Sequence, residues 1–552
     1  MYSDKENINI LTALLLAHGV RHAVVCPGSR NAPITHNLCE AREMTCVSVT
    51  DERSAAFVAL GKAQALGEPV VVCVTSGSAL VNTLPAVVEA WYQHVPIIVV
   101  SADRPAAMIG QLQGQTMPQQ KTLEAFWAKE VSLPEPHDDV ERWYCNRLAN
   151  EALCAMKQSG RGPVHINVPI SEPLFNFTTA ELPTERRVSL MDNHLWPSEL
   201  TEEFLVSSRP MLVVGQLQCT VARRVSGAIR RLEESVVVLS EQLATCGNAP
   251  CHFDEALIWI GEQEAYKPDY IIYIGDTLVS KRAKHFLQHC HPKSCVVVNA
   301  SGELTDVTMN VTDVVVCPVE DALDSLCEKL ESGDVALGNE ASAFRGRWAM
   351  ALDKWAIRCK AFEPAYSQMM AVRRLCEQTN GQECHMQFAN SSAVRLGQLY
   401  SSHHLYVNRG VNGIEGSLST AVGFASEKDV TVYCVIGDLS FFYDQNALWN
   451  GVGKRHLRMV VLNNGGGGIF HQLRGLEQSP YRDSFVSATH TASAKGVCEA
   501  TGVAYKAASN EEELAEGISW ITRGQATGPL LLEVFTNAEI DAREYKKYLE
   551  TK

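Results

Sequence analysis

Short apolar runs recur along the chain, each released into a loop rich in Gly, Ser, Asn or Asp and then into a stretch with helical apolar spacing. In the first third the runs cover residues 23–26, 45–50, 70–74 and 97–100. The loops after them are Pro27-Gly28-Ser29-Arg30-Asn31, Asp51-Glu52, Thr75-Ser76-Gly77-Ser78 and Ser101-Ala102-Asp103-Arg104. Further runs follow at 211–214, 236–239, 270–274 and 295–298, and then at 430–437, 457–462 and 529–535. Runs that are continuous rather than alternating belong to strands buried on both faces, the condition of a parallel sheet covered by helices. The pattern therefore predicts an α/β chain of three doubly wound parallel-sheet domains. It also predicts a helix over residues 443–449.

The rhythm breaks over 181–198, where Pro183, Pro197 and several charges interrupt it, and again in the polar, glycine-containing stretch 331–340, which reads as a linker. This gives domains at 1–182, 183–340 and 341–552, sizes ordinary for single cores. The middle one carries no glycine-rich dinucleotide fingerprint. With 46% apolar and 20% charged residues the composition is that of a soluble globular protein. No apolar run approaches the ~18 residues of a membrane span, and the acidic start of the chain lacks a signal core, so a cytoplasmic enzyme is expected. A formal charge of −15 argues against nucleic-acid partners, and any anionic substrate must meet locally placed Arg and Lys. The 18 cysteines are scattered without a CxxC pair, as reduced core residues are. His285, His289, Cys290, His291 and Cys295 match no paired zinc knuckle and receive no metal.

Candidate chemistry concentrates in Gly437-Asp438-Leu439-Ser440 and Asn463-Asn464-Gly465-Gly466, which end consecutive strands. Parallel strands joined by a crossover release their loops at one sheet edge, so Asp438 and Asn464 are expected to be neighbours. A carboxylate oxygen, an amide oxygen and the Gly466 carbonyl make a hard ligand set for Mg²⁺, completed by phosphate oxygens: a clamp suited to thiamin diphosphate. Taken alone, the same residues also serve as ordinary α/β loop punctuation. That cofactor's aminopyrimidine needs one carboxyl group at its N1′. Glu52, opening a helix after a strand, is the candidate, although helix-start acids are common for dipole reasons alone.

Taken together, Pro27-Gly28-Ser29-Arg30, Asp51-Glu52-Arg53, Thr75-Ser76-Gly77, Ala102-Asp103-Arg104-Pro105, Ser280-Lys281-Arg282, Asn390-Ser391 with Arg395, Asn408-Arg409-Gly410, Gly413-Ile414-Glu415-Gly416 and the run from Gly437 to Asp444 resemble the thiamin diphosphate-dependent 2-oxoacid enzymes. The likeness runs from end to end and is specific to the branch serving menaquinone biosynthesis. It implies decarboxylation of 2-oxoglutarate and 1,4-addition of the succinyl carbanion equivalent to isochorismate. Glu52 is then the N1′ activator; Asp438, Asn464 and Gly466 hold Mg²⁺, or Mn²⁺ in its place; Thr75, Gly77, Asn82, Ser391, Ile414, Gly437 and Ser440 complete the cofactor site, with Ile414 as the wedge under the bent cofactor.

Ser29, Arg30, Gln115, Lys281, Arg282, Ser391, Arg395, Arg409 and Phe470 correspond to substrate-contacting positions, and guanidinium forks suit the carboxylates of two dianions. The resemblance also implies a homodimer or homotetramer, with cofactor between the N-terminal part of one subunit and the C-terminal part of another. Three departures are visible: Leu439 stands where thiamin enzymes at large have glycine, Gly114 stands where a polar residue is expected, and residues 465–468 are all glycine. The alternatives are an acetolactate synthase-like 2-oxoacid lyase, for which a second-carboxylate anchor has no use, and a cofactor-binding sensor without turnover.

Overall fold

The computed structural model describes residues 1–156, 162–188, 196–301, 305–333, 337–473, 475–523 and 527–550. The breaks expected over 181–198 and 331–340 fall partly outside these. Among the described residues seventeen strands form three sheets: β1 (His22–Val25), β2 (Thr45–Ser48), β3 (Val70–Val74), β4 (Ile97–Asp103), β5 (Lys129–Ser132) and β6 (Val164–Pro169) make the first. The second holds β7 (Pro210–Val214), β8 (Val237–Ser240), β9 (Tyr270–Ile274), β10 (Ser294–Asn299) and β11 (Asp313–Val316). The third holds β12 (His385–Phe388), β13 (Leu405–Tyr406), β14 (Val432–Gly437), β15 (Leu457–Asn463), β16 (Ala504–Ala508) and β17 (Leu530–Phe535). The fold is the predicted three-sheet parallel α/β architecture, and central strands such as β3, β9 and β15 are buried along their whole length.

Strand order explains where chemistry can gather. The sheets run β2-β1-β3-β4-β6-β5, β11-β10-β9-β7-β8 and β13-β12-β14-β15-β17-β16. Each has a switch point next to its first strand, between β1 and β3, β7 and β9, and β12 and β14, and the first and third sheets turn back again at their far edges (β6-β5 and β17-β16). At such a switch point the loops leaving neighbouring strands diverge and open a crevice at the carboxyl ends. Those six loops carry Ser29 and Arg30, Thr75 and Gly77, Gln216, Ser280 to Arg282, Ser391, and Asp438.

By contacts the chain divides into two compact units, one of Met1–Asp192, Gly410–Asp429 and Tyr443–Leu457, the other of Asn193–Arg409, Val430–Phe442 and Arg458–Lys552. In the first unit, helix Glu52–Leu66 packs on helix Ser417–Ala425 through glycine. A Cβ on Gly61 would lie 2.0 Å from the Thr420 carbonyl oxygen, and one on Gly423 2.1 Å from that of Val58. The backbones touch, and no larger residue fits. The same unit takes in 443–457 through Arg53, which stacks over the Tyr443 ring and donates to the Tyr443 carbonyl, and through Asn446, which donates to Asp51.

The structure adds β5, β6, β11, β12, β13 and β16 to the strands read from the sequence, and it moves one helix. The helix after β14 spans Asp438–Tyr443 and ends where the predicted one was to begin; a 3-10 turn at Gln445–Ala447 follows. Buried Asp444 accepts from the Ser419 amide (2.6 Å) and hydroxyl (2.7 Å), so its carboxylate is committed to another helix. The helix starts earlier because Asp438 itself is its first residue.

Candidate active site

Within the second unit the clamp residues do converge. Asp438, 2% exposed, accepts from the amides of Gly465 (2.8 Å), Gly466 (3.0 Å) and Leu439 (2.7 Å), and His490 Nε2 lies 3.5 Å from it. Burial pushes its carboxyl above the usual range while those amides pull the other way. Asn464 donates through Nδ2 to Asp541 Oδ2 at 3.1 Å, and Asp541 is itself fixed by the Gln368 amide and the Thr536 hydroxyl, both at 2.8 Å. A carboxylate only accepts, so Nδ2 must face Asp541 and Oδ1 is left for a ligand. The glycines are required: Gly466 has φ +153° with a would-be Cβ 2.7 Å from the Ser487 carbonyl, and one on Gly468 would fall 2.2 Å from Asn464 Nδ2. Ser440 is buried in the first turn of the helix, and half-buried Phe470 packs against Gly467.

Around this clamp the second unit supplies cations. Arg409 donates to Asn390 Oδ1 (3.0 Å), and Asn390 Nδ2 donates to the Asn408 carbonyl (2.6 Å), tying the loop after β12 to the Arg409 segment. Arg395, with Gln368, Ser392, Asn464 and Asp541, lines a cleft beside the clamp. Lys281 and Arg282 open helix Lys281–Gln288, the end where the macrodipole disfavours cations. Asp254 compensates by bonding both the Arg282 guanidinium and the Ser280 hydroxyl. The loop before them hangs on Glu241, whose carboxylate accepts from the Val279 (2.7 Å) and Ser280 (2.8 Å) amides.

Burial raises the Glu241 carboxyl from its ordinary 4.5 to about 7 against those bonds. Between these values the folded protein keeps a proton that the unfolded chain has lost, so this contribution to stability falls as pH rises. Relative to Glu241→Gln, the wild-type protein is expected to lose up to ~3 kcal/mol between about pH 4.5 and pH 8. Urea midpoints of both proteins at pH 5 and pH 8 measure it.

In the first unit, Glu52 is the first residue of its helix, but the N-cap bonds come from Asp51, which accepts from the Arg53 and Ser54 amides. Glu52 therefore owes the helix nothing, and its Oε2 accepts from Asn82 Nδ2 at 3.1 Å. Thr75 is buried in the loop after β3, and its Oγ1 meets no hydrogen-bond partner among the described residues, an orphan that a polar ligand atom would satisfy. Gly77 caps helix Ser78–Tyr92 with φ +83°. Ile414 is 45% exposed, not core, in a loop held by buried Glu89, which accepts from the Gly410 and Val411 amides at 2.9 Å each. Gly416 at φ +76° abuts the Phe57 ring.

Buried Arg30 donates to the Ile170 carbonyl and to Glu172, both at 3.0 Å; Arg104 reaches Glu172 at 3.7 Å and donates to the Gly114 carbonyl at 3.3 Å, beside exposed Gln115. Ser29 is exposed next to Arg30. Sequence reasoning missed Asp541, Asp254, Glu241 and Glu172, each an acid that orients a predicted group from far along the chain. Of the earlier His/Cys cluster, His285 and His289 stack on each other at 4.3 Å, and the Cys290 thiol bonds the Phe286 carbonyl.

The model of a thiamine pyrophosphate enzyme N-terminal TPP binding domain matches residues 8–124, and that of the C-terminal TPP binding domain matches residues 389–534. The chain is 42% identical to the 2-succinyl-5-enolpyruvyl-6-hydroxy-3-cyclohexene-1-carboxylate synthase of Bacteroides thetaiotaomicron, over 99% of both chains. It is 35% identical to the protein of that name from Desulfotalea psychrophila (97% of this chain, 98% of the relative) and 31% to that from Christiangramia forsetii (99% of both).

Proposed function

The chain belongs to the 2-succinyl-5-enolpyruvyl-6-hydroxy-3-cyclohexene-1-carboxylate synthase family of thiamine pyrophosphate enzymes, and from that membership we infer how its own residues carry the reaction. It decarboxylates 2-oxoglutarate and joins the succinyl unit to isochorismate in menaquinone biosynthesis. Thiamin diphosphate, when bound, supplies the nucleophilic carbon and the sink for the electron pair that CO₂ leaves behind. The donor set fits it: a buried acid, an oriented amide oxygen and a glycine carbonyl for the metal, and an orphaned Thr75 hydroxyl for the rest.

Asp438, Asn464 and the Gly466 carbonyl hold the metal, Mg²⁺ with Mn²⁺ as a substitute, and Gly437 and Ser440 flank the diphosphate. Thr75, Gly77, Asn82 and Ser391 border the cofactor and Ile414 presses against it. Glu52 would hydrogen-bond the ring nitrogen of the bound cofactor and hold or release a proton at that atom. Ser29, Arg30 and Gln115 from the first unit, and Lys281, Arg282, Ser391, Arg395 and Arg409 from the second, are the proposed contacts for the carboxylates of the two dianions, with Gln115 assigned to the ring dianion and Phe470 as an apolar wall. Pinning both carboxylate sets would bring the two substrates together, and exclusion of water would suppress competing proton transfer.

We also propose the division 1–182, 183–340 and 341–552, a homodimer or homotetramer as the working form, and a cytoplasmic location. No helix among the described residues is long and apolar enough to cross a membrane. The observation that carries the residue assignment is the pairing of buried Asp438 with an Asn464 whose amide is oriented by Asp541. Ultraviolet loss of isochorismate is expected only when thiamin diphosphate, Mg²⁺ and 2-oxoglutarate are all present. Consumption of pyruvate in preference to 2-oxoglutarate would instead favour the acetolactate synthase-like alternative.

A further inference from the structure

A closed circuit of hydrogen bonds lies under the loop that carries Gln115, all of it inside the first unit. Gln119, 1% exposed, accepts from the Gly77 amide at 2.7 Å. Its own amide donates to Ser101 Oγ (3.2 Å), the Ala102 carbonyl (3.1 Å) and Asn167 Oδ1 (2.7 Å). Ser101 Oγ lies 2.7 Å from His165 Nε2, and His165 Nδ1 lies 2.8 Å from Glu130 Oε1. The second oxygen of Glu130 accepts from the Lys121 amide at 2.7 Å, two residues beyond Gln119, so the circuit returns to the loop where it began.

The directions are mutually consistent. Glu130 as a carboxylate accepts from His165 Nδ1–H, which leaves Nε2 as an acceptor; the one Ser101 hydroxyl proton is shared between Nε2 and Asn167 Oδ1, 3.0 Å away, and Ser101 Oγ accepts from Gln119. The circuit crosses β5, β6 and β4, whose register sets Glu130 beside His165 and Ser101 beside Asn167. Ser, His and an acid in this order are the parts of a nucleophilic triad. Here Ser101 and His165 are 0% exposed, so no substrate reaches them.

What the circuit holds is a strained loop. Leu112, Gln115, Lys121 and Leu123 have φ of +56°, +55°, +63° and +60°, and non-glycine residues in this region persist only where surrounding structure imposes them. Gln115 at its positive φ comes against Gly77, where a Cβ would lie 3.2 Å from the Gln115 carbonyl carbon. Gln119 thus ties the loop carrying Gln115 to the loop after β3.

We propose that the Gln119–Ser101–His165–Glu130 circuit is a positioning device that sets Gln115, and with it the affinity for the second substrate, the ring dianion, without touching either substrate. This rests on the reading above of Gln115 as a contact for that substrate. The test uses the holoenzyme with Ser101→Ala and Glu130→Ala, plus Glu130→Gln as the conservative variant at a part-exposed position. KM for isochorismate is expected to rise about five- to tenfold in the alanine variants, the worth of one lost buried hydrogen bond. KM for 2-oxoglutarate and thiamin diphosphate affinity should stay within about twofold, and Glu130→Gln should recover part of the loss. Parallel shifts in both KM values, or no shift in either, would overturn the proposal. Failure of the wild-type protein to consume isochorismate would instead sink the underlying functional reading.

Discussion

Glu52→Gln is expected to take up thiamin diphosphate and Mg²⁺ as the wild-type protein does, yet to release CO₂ from 2-oxoglutarate about 10³-fold more slowly, within the range by which positioned acid–base groups accelerate reactions. The first half of the expectation follows from local structure. Asp51, not Glu52, caps the helix, and Glu52 makes one side-chain bond, from Asn82. Glutamine keeps size and an acceptor oxygen, and the glycine-packed contact between helices Glu52–Leu66 and Ser417–Ala425 lies more than one turn away, at Val58 and Gly61. The second half follows from chemistry, because an amide cannot exchange a proton with the cofactor ring as a carboxyl group does. Cofactor binding followed by fluorescence, and CO₂ release followed in a single turnover, separate the two. Turnover like the wild-type protein's would remove Glu52 from the mechanism.

The central strands were legible because both-face burial writes itself as continuous apolar runs: Val70–Val74 and Tyr270–Ile274 fall where the runs do, whereas edge strands such as Asp313–Val316 and Ala504–Ala508, less buried along their length, were missed. The neighbourhood of Asp438 and Asn464 was legible too, since parallel topology obliges successive strands to end at one edge. What escaped was everything decided by distant partners. A helix was expected over 443–449 from local spacing, but buried Asp444 is bound by Ser419, and the turn there is spent on that contact.

Arg30 and Arg282 read as cations waiting for substrate, whereas each already has an acid, Glu172 and Asp254, supplied from 142 and 28 residues away. A substrate carboxylate must share or replace those partners, which is a means of discrimination that residue type alone does not encode. Ile414 was the reverse case. An isoleucine defaults to core, and only the fold shows it exposed on a loop anchored by Glu89. The one sequence signal here is Lys281-Arg282 itself, a basic pair at the helix end where cations need a compensating acid, although nothing local says that Asp254 supplies it.

Asp438→Asn is expected to weaken Mg²⁺-dependent thiamin diphosphate binding by at least about 100-fold, more than Asp541→Asn, for which about tenfold is expected as for other groups that orient a metal ligand. The two acids hold the clamp differently. Asp438 gathers the Gly465 and Gly466 amides on one oxygen and the Leu439 amide on the other, so it shapes the glycine turn and, on the proposed reading, its negative charge also attracts the ion that the Gly466 carbonyl helps to hold. An asparagine there turns an amide group toward one set of backbone N–H donors, which loosens the turn as the charge disappears. Asp541 acts one step removed, by obliging Asn464 to present Oδ1; an asparagine in its place lets the Asn464 amide flip without removing any ligand.

Titrating each variant with thiamin diphosphate at fixed Mg²⁺, with heat or tryptophan fluorescence as the signal, ranks the losses independently of turnover. Raising Mg²⁺ should recover more of the Asp541→Asn defect than of the Asp438→Asn defect, because the former only dilutes the competent amide orientation whereas the latter deletes a charge. Equal losses, or tight binding by Asp438→Asn, would place the ion elsewhere.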